Sequence, residues 1–248
     1  MIQLYQFPFS HFCEKARWAL DYKGVPYAAV NFLPGFHLRP VQKLAPKTCL
    51  PVLRDEGRVV QDSVAIIDYL DATIPTPALT PRDPEAARQA IEWERYFDED
   101  IGVTLRLWFY HHALPDRHVA LGFLLQDAQW YQRPLFTLAF SAVRPRMQQL
   151  MNINADTAKQ AQQRLLAALE RLEGALDGRR FLVEDRFSRA DLTACSLLSA
   201  FCLPDEARAS ATFPAAVFKL REELKGRPFY QWVRSVYDCH RHSAPADA

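Results

Sequence analysis

Over residues 1–75, short apolar runs alternate with stretches of helical period. Ile2–Gln6 reads as a strand, and His11–Lys23 places Phe12, Ala16, Ala19 and Leu20 at helical spacing until Gly24 stops it. Pro26–Phe32 fits a second strand and Leu38–Leu44 a short helix or turn. Pro51–Arg54 and Val59–Gln61 flank Asp55-Glu56-Gly57, where Gly57 can supply the positive φ of a hairpin turn. Ser63–Asp71 is helical again. The order strand, helix, strand, helix, strand, strand, helix predicts a small α/β domain that opens with a βαβ unit.

The pattern then changes. Pro75, Pro77, Pro81 and Pro84 fall close together and break regular structure, which marks residues 76–87 as a linker. Beyond it the periodicity is helical: Glu85–His112, Val119–Tyr131, Pro134–Val143, Asp156–Leu176, Ser188–Cys202, Pro214–Leu224 and Pro228–Cys239, with Phe181-Leu182-Val183 the one strand-like stretch. Ser188-Arg189-Ala190-Asp191 reads as a capping box with Asp in the acid position, stapled by Phe187 and Leu192. Pro228 suits a first helical position. Residues 88–240 are thus expected to form an all-helical domain, and 241–248, with His240 and His242 at its edge, a loose tail.

Composition narrows the class. Hydrophobic residues make up 49% and charged residues 24% of 248 residues, the balance of a soluble globular chain. A net charge of +1 gives no global field to recruit nucleic acid or an anionic membrane, so neither partner is expected. Five cysteines, Cys13, Cys49, Cys195, Cys202 and Cys239, show no metal-ligand spacing and are odd in number. They read as free thiols in a reducing, cytoplasmic compartment. No signal peptide, membrane-spanning run, internal repeat or Gly-rich phosphate loop is evident. His111 and His112 are adjacent and diverge on a helix, a poor metal pair, and no metal is expected.

Three segments of the first domain can carry chemistry. Ser10 opens the first helix, where unpaired N–H groups and a partial positive charge favour an anion. Its hydroxyl can donate to a thiolate brought by a ligand, or serve only as an N-cap. A free thiol, with a pKa of about 8.5, is mostly protonated at neutral pH, so such help matters. Cys13, one turn on, is either a reactive thiol or a small core residue, and no cysteine at position 10 completes a dithiol. Leu50-Pro51 stands at a strand entrance, where a cis bond would turn the Leu50 backbone outward to pair with an extended peptide. Asp62-Ser63 at the next helix start can hold an α-amino and an α-carboxylate group, or simply cap.

In combination, this order resembles the thioredoxin-like N-terminal domain of the glutathione transferases. The best-matched stretch is LPVLRDEGRVVQDSVAIIDYL, and the linker, the helical second domain and FSRADLTACSLL fit the same layout. The resemblance implies a two-domain glutathione transferase-like fold, with glutathione as co-substrate and a two-fold homodimer. Ser10 would stabilise the glutathione thiolate, Leu50 before Pro51 would hold the cysteinyl backbone, and Asp62 and Ser63 the γ-glutamyl end. Lys47 and His37, ahead of Arg39, would meet the glycyl carboxylate. Departures are Ala45-Pro46-Lys47-Thr48 where Asn-Pro-x-Gly is usual, and Asp62 where Glu or Gln is commoner. Tyr5 reads as packing.

The expected activity is conjugation of the glutathione thiolate to a small apolar electrophile, a detoxification chemistry. The alternatives are a glutathione-dependent thiol transferase or reductase centred on Cys13, and a non-catalytic glutathione-binding carrier. Leu105, Trp108, Phe109 and His112, at near-helical spacing in an aromatic segment, are candidates to line the electrophile pocket.

Overall fold

The computed structural model describes residues 1–203 and 213–241. Its first part is a four-stranded sheet in the order β2-β1-β3-β4, built from β1 (Ile2–Gln6), β2 (Tyr27–Asn31), β3 (Val52–Asp55) and β4 (Arg58–Gln61). β1 pairs parallel with β2, as a βαβ crossover requires, and antiparallel with β3, which pairs antiparallel with β4. Helices α1 (His11–Tyr22), α2 (Leu38–Gln42) and α3 (Ser63–Thr73) complete it. Side chains alternate across the sheet. Leu4 and Leu53 join Ala16, Leu20, Ile66 and Leu70 of α1 and α3 in the main core. Tyr5 and Val52 turn the other way, to Val41 and Ala45 at α2. The β3–β4 turn puts Glu56 and Gly57 at φ 44° and 93°, the left-handed backbone that a two-residue hairpin needs.

The second part is helical: α4 (Pro84–Phe97), a π-helical stretch (Asp98–Val103), α5 (Thr104–Ala113), α6 (Arg117–Leu124), α7 (Gln132–Leu150), α8 (Ala155–Leu176), α9 (Arg189–Cys202), α10 (Ala215–Leu224) and α11 (Pro228–His240). A small α/β unit followed by a helical bundle is what the pattern predicts, and the thioredoxin-like sheet is what the family resemblance implies. α9 is buried along nearly its whole length and packs on α1, α4 and α11. The Ser188–Asp191 capping box forms, and the Asp191 carboxylate also accepts from the Leu182 N–H at 2.8 Å. Residues 181–183, buried as their composition suggests, form no strand, and the Leu182 N–H goes to this helix cap rather than to a neighbouring strand.

Three features tie α1 to the bundle. Lys15, fully buried, meets Glu94 and Asp98 at 2.8 Å each, and Glu94 also receives Arg189, which reaches Asp68 on α3 at 2.7 Å. Gly102, in the π-helical stretch, lies against the Phe12 ring, where an added Cβ would stand 2.6 Å from the Phe12 Cζ. From the far end of the chain, Tyr237 and Arg241 both donate to Glu14, and the Trp18 indole donates to the His240 carbonyl at 3.0 Å.

Several element bounds differ from the sequence pattern. The expected helix 85–112 is interrupted by the π-helical stretch around Gly102. α6 ends at Leu124: after the buried Leu125 the chain is polar or, like Trp130, exposed, and offers no buried stripe to extend the helix. α7 continues through Pro145 to Leu150 instead of stopping near Val143. His240 is not in a loose tail: its ring stacks on Phe187 at 4.7 Å and its carbonyl holds Trp18. His242 lies outside the described residues.

Candidate active site

Ser10 is the N-cap of α1. Its backbone is extended, its carbonyl accepts the Glu14 N–H at 2.9 Å, and its Oγ accepts the Cys13 N–H at 3.4 Å. A hydroxyl has two acceptor lone pairs and one proton. Capping uses a lone pair, and a hydroxyl that caps in this way still has a proton to donate, so the two readings of Ser10 are compatible, although the Cys13 thiol lies within hydrogen-bond reach of the same hydroxyl.

Ser10 stands on the walls of two cavities. One, of about 250 Å³, is mostly apolar and lies between the first helix, Leu50 and the faces of α5, α7 and α9, with Phe9, Phe109, Phe123 and Phe213 supplying rings. The other, of about 430 Å³, is more polar and is bordered by Glu14, Arg17 and Asp127.

Of the residues singled out from the sequence, Ser10, His37, Leu50, Leu105 and Phe109 line the apolar cleft. The Leu50–Pro51 bond is cis, and among the described residues no hydrogen bond engages the Leu50 N–H or C=O. Asp62 caps α3 by accepting the Val64 N–H at 2.9 Å, and its own N–H donates to the Pro51 carbonyl at 3.1 Å. Its φ of 91° is unusual for a residue with a side chain. Such backbone concentrates at functional sites. Asp62 is exposed, while Ser63 beside it is buried. Lys47 is exposed, and its backbone is bridged to β4 by the Gln61 amide.

His37 and Lys47 differ in charge state. The His37 Nδ1 accepts the Gly35 N–H at 3.2 Å, and burial lowers the ring's pKa, against the opposing pull of the Leu33 and Thr48 backbone. His37 is therefore shifted toward its neutral form at pH 7, which makes it the weaker candidate for holding an anion.

Trp108 and His112 are not brought to the cleft. Leu105 and Phe109 are four residues apart and share one face of α5, whereas Trp108 and His112 form the next pair round. Trp108 is buried in the main core, with its ring edge-on to His112 at 5.1 Å. Tyr5 packs against Phe32 and donates to Gln3, as expected of a packing residue.

Cys13 is fully buried, and burial raises its thiol pKa. A protonated, enclosed sulfur is a poor nucleophile. His11 lines the cleft, yet burial and the nearby Arg106 push its pKa down to about 3, so it is neutral. Arg106 and Tyr110 also line the cleft and escaped the sequence reading. Their position at i and i+4 on the Leu105–Phe109 face was the available signal.

A thioredoxin-like sheet with a capped, cleft-facing serine on its first helix and a helical bundle closing that cleft defines a glutathione transferase-like architecture. The glutathione S-transferase N-terminal domain model matches residues 4–78 and the C-terminal domain model residues 131–217, together more than half of the chain. The chain belongs to the glutathione S-transferase family. It is 25% identical over 212 residues to glutathione S-transferase TCHQD of Arabidopsis thaliana, covering 82% of this chain and 78% of the relative. It is 37% identical over 91 residues to a maleylpyruvate isomerase of Ralstonia sp., a match spanning 36% of this chain and 43% of the relative. Some other matched relatives are spanned over about half their length (49%). Its fold is similar to that of a Ceriporiopsis subvermispora glutathione S-transferase in complex with glutathione, with a TM-score of 0.64 at 20% identity over 100% of this chain and 99% of that one.

Proposed function

We propose that this protein is a glutathione-conjugating enzyme: it ionises the thiol of glutathione beside Ser10 and directs the sulfur at an apolar electrophile in the cleft. The observation that carries the reading is Ser10 itself, capping α1 through a lone pair on the wall of an apolar cleft. Leu50, with its N–H and C=O unengaged at the cleft edge, would pair with the cysteinyl backbone. Exposed Asp62 would receive the γ-glutamyl amine, Ser63 would assist through its N–H, and Lys47 would meet the glycyl carboxylate.

The chemistry is modest. The Ser10 hydroxyl and the α1 N-terminus favour the thiolate, and the cleft holds the acceptor near it. A thiol pKa lowered by two units corresponds to about 2.7 kcal/mol, within reach of a charge-assisted hydrogen bond plus a helix terminus. The burial of Cys13 weighs against a thiol-exchange reaction centred there. A homodimer and a cytoplasmic location belong to the same proposal. Among the described residues no helix is long and apolar enough to cross a membrane.

The test has two stages. A thermal shift with glutathione reports binding, and conjugation to 1-chloro-2,4-dinitrobenzene reports turnover. Binding without turnover on a panel of electrophiles would replace the enzyme by a carrier.

A further inference from the structure

Arg106 projects from α5 into the wall of the apolar cleft, with its guanidinium 5.5 Å from the centre of the Phe12 ring. Most buried or half-buried cations of this chain meet carboxylates: Lys15 with Glu94, Lys23 with Asp71, Arg17 with Glu14, Arg189 with Glu94 and Arg241 with Glu14. Arg106 meets none among the described residues. Nor do the described residues of the cleft wall include an aspartate or glutamate. The two histidines there, His11 and His37, are both shifted toward the neutral form. The cleft therefore carries one lasting positive charge on an otherwise apolar surface.

An enclosed cation without a counter-charge is costly to keep. Burial lowers the pKa of Arg106, the direction expected of a guanidinium short of water and partners. Beside it, the enclosed Nε2 of His11 has no hydrogen-bond partner. One turn along α5, the Tyr110 hydroxyl is engaged by no described residue, and it lines the same cleft. Three polar groups thus wait on one wall, with rings facing them.

We infer that the cleft selects acceptors that are apolar or aromatic and carry one carboxylate, which Arg106 receives as a charge-assisted pair while the rings hold the hydrocarbon. This rests on the proposed glutathione conjugation and narrows its second substrate. In the proposed pose glutathione does not need Arg106, because its amine, γ-glutamyl carboxylate and glycyl carboxylate would be met by Asp62, Ser63 and Lys47 on the sheet side.

A binding experiment tests this without relying on turnover. Titration calorimetry of 3-nitrobenzoate against 3-nitrobenzamide should show the carboxylate bound about 10- to 100-fold more tightly by the wild type. Arg106→Gln should remove that preference, and Arg106→Lys should keep part of it, which guards against a folding artefact. Conjugation of 4-chloro-3-nitrobenzoate and its methyl ester should show the same reversal in relative kcat/KM. Equal affinity for acid and amide in the wild type, or a preference that survives Arg106→Gln, overturns the inference. A preference that survives while the ultraviolet absorbance of the bound glutathione thiolate falls in Arg106→Gln would reassign the cation to the sulfur, and also overturns it. Absent glutathione binding with the carboxylate preference intact would strike the conjugation reading alone and leave the anion site standing.

Discussion

The Cζ of Phe12 occupies space that a β-carbon on Gly102 would need, at 2.6 Å. The contact seats the opening turn of α1 against the π-helical stretch between α4 and α5. Gly102 is thus needed for close approach rather than for an unusual φ. The ring also meets the His11 ring and the Arg106 guanidinium, and Leu197 Cδ2 would stand 3.1 Å from the same β-carbon. Gly102→Ala is expected to lose about 1–3 kcal/mol, read as a lower urea midpoint with unchanged m-value.

Ser10→Ala removes a cap and, in the proposed reaction, the thiolate donor. Loss of the cap should cost about 1 kcal/mol of stability. Loss of the donor should raise the bound thiol's pKa, so conjugation falls about 10- to 100-fold near neutral pH and recovers as pH rises above the new pKa. A pH–rate profile checks this: a uniform fall at every pH would leave Ser10 as a cap only.

Cys13→Ala should keep most conjugating activity. The thiol is enclosed and held protonated, so the change trims a small core side chain, costing about 1 kcal/mol. Activity abolished in a folded Cys13→Ala protein would restore the thiol-exchange alternative.

Lys15→Met leaves Glu94 and Asp98 without their shared cation. Glu94 keeps Arg189, but Asp98 loses its cation and Glu94 half of its charge balance. Removing one partner of a buried ionic cluster typically costs about 3–5 kcal/mol. Differential scanning calorimetry should show a Tm lower by several degrees.

Two buried groups give opposite pH dependences. Burial raises Asp98 to about 6, above the roughly 3.9 of an unfolded chain. Between those values the folded state binds more protons, so this contribution is full below about pH 4 and is lost as pH rises through 6. His11 is depressed to about 3 from about 6.5. Its contribution is present above about pH 6.5 and is lost as pH falls toward 3. Asp98→Asn should therefore steepen the acid-side loss of stability, by on the order of 2 kcal/mol across pH 4–6. Urea midpoints at half-unit intervals measure it.

Local signals carried the architecture. The β1–α1–β2 order, the hairpin at Gly57, the Ser188–Asp191 cap and Pro228 at a helix start are all written in short-range spacing. Residues within one such spacing, Ser10, Leu50, Asp62 and Ser63, could be chosen for the same reason. The helical wall was harder. Periodicity marks α5 as helical but not which of two adjacent stripes meets the cleft, and that is decided by how α5 packs on α8. Hence Trp108 and His112 looked equivalent to Leu105 and Phe109, and Arg106 was hidden as one more surface arginine. The break at Gly102 was equally invisible, because a π-helical turn has no periodic signature and follows from the Phe12 contact.

The grip of Tyr237, His240 and Arg241 on Glu14, Trp18 and Asp21 joins the two ends of the sequence. The Tyr237 hydroxyl that braces the Ser10-bearing helix leaves the ribosome 223 residues after the Glu14 it holds. A nascent chain can therefore shape the sheet early, but the corner around Ser10 is braced only after synthesis has passed residue 241.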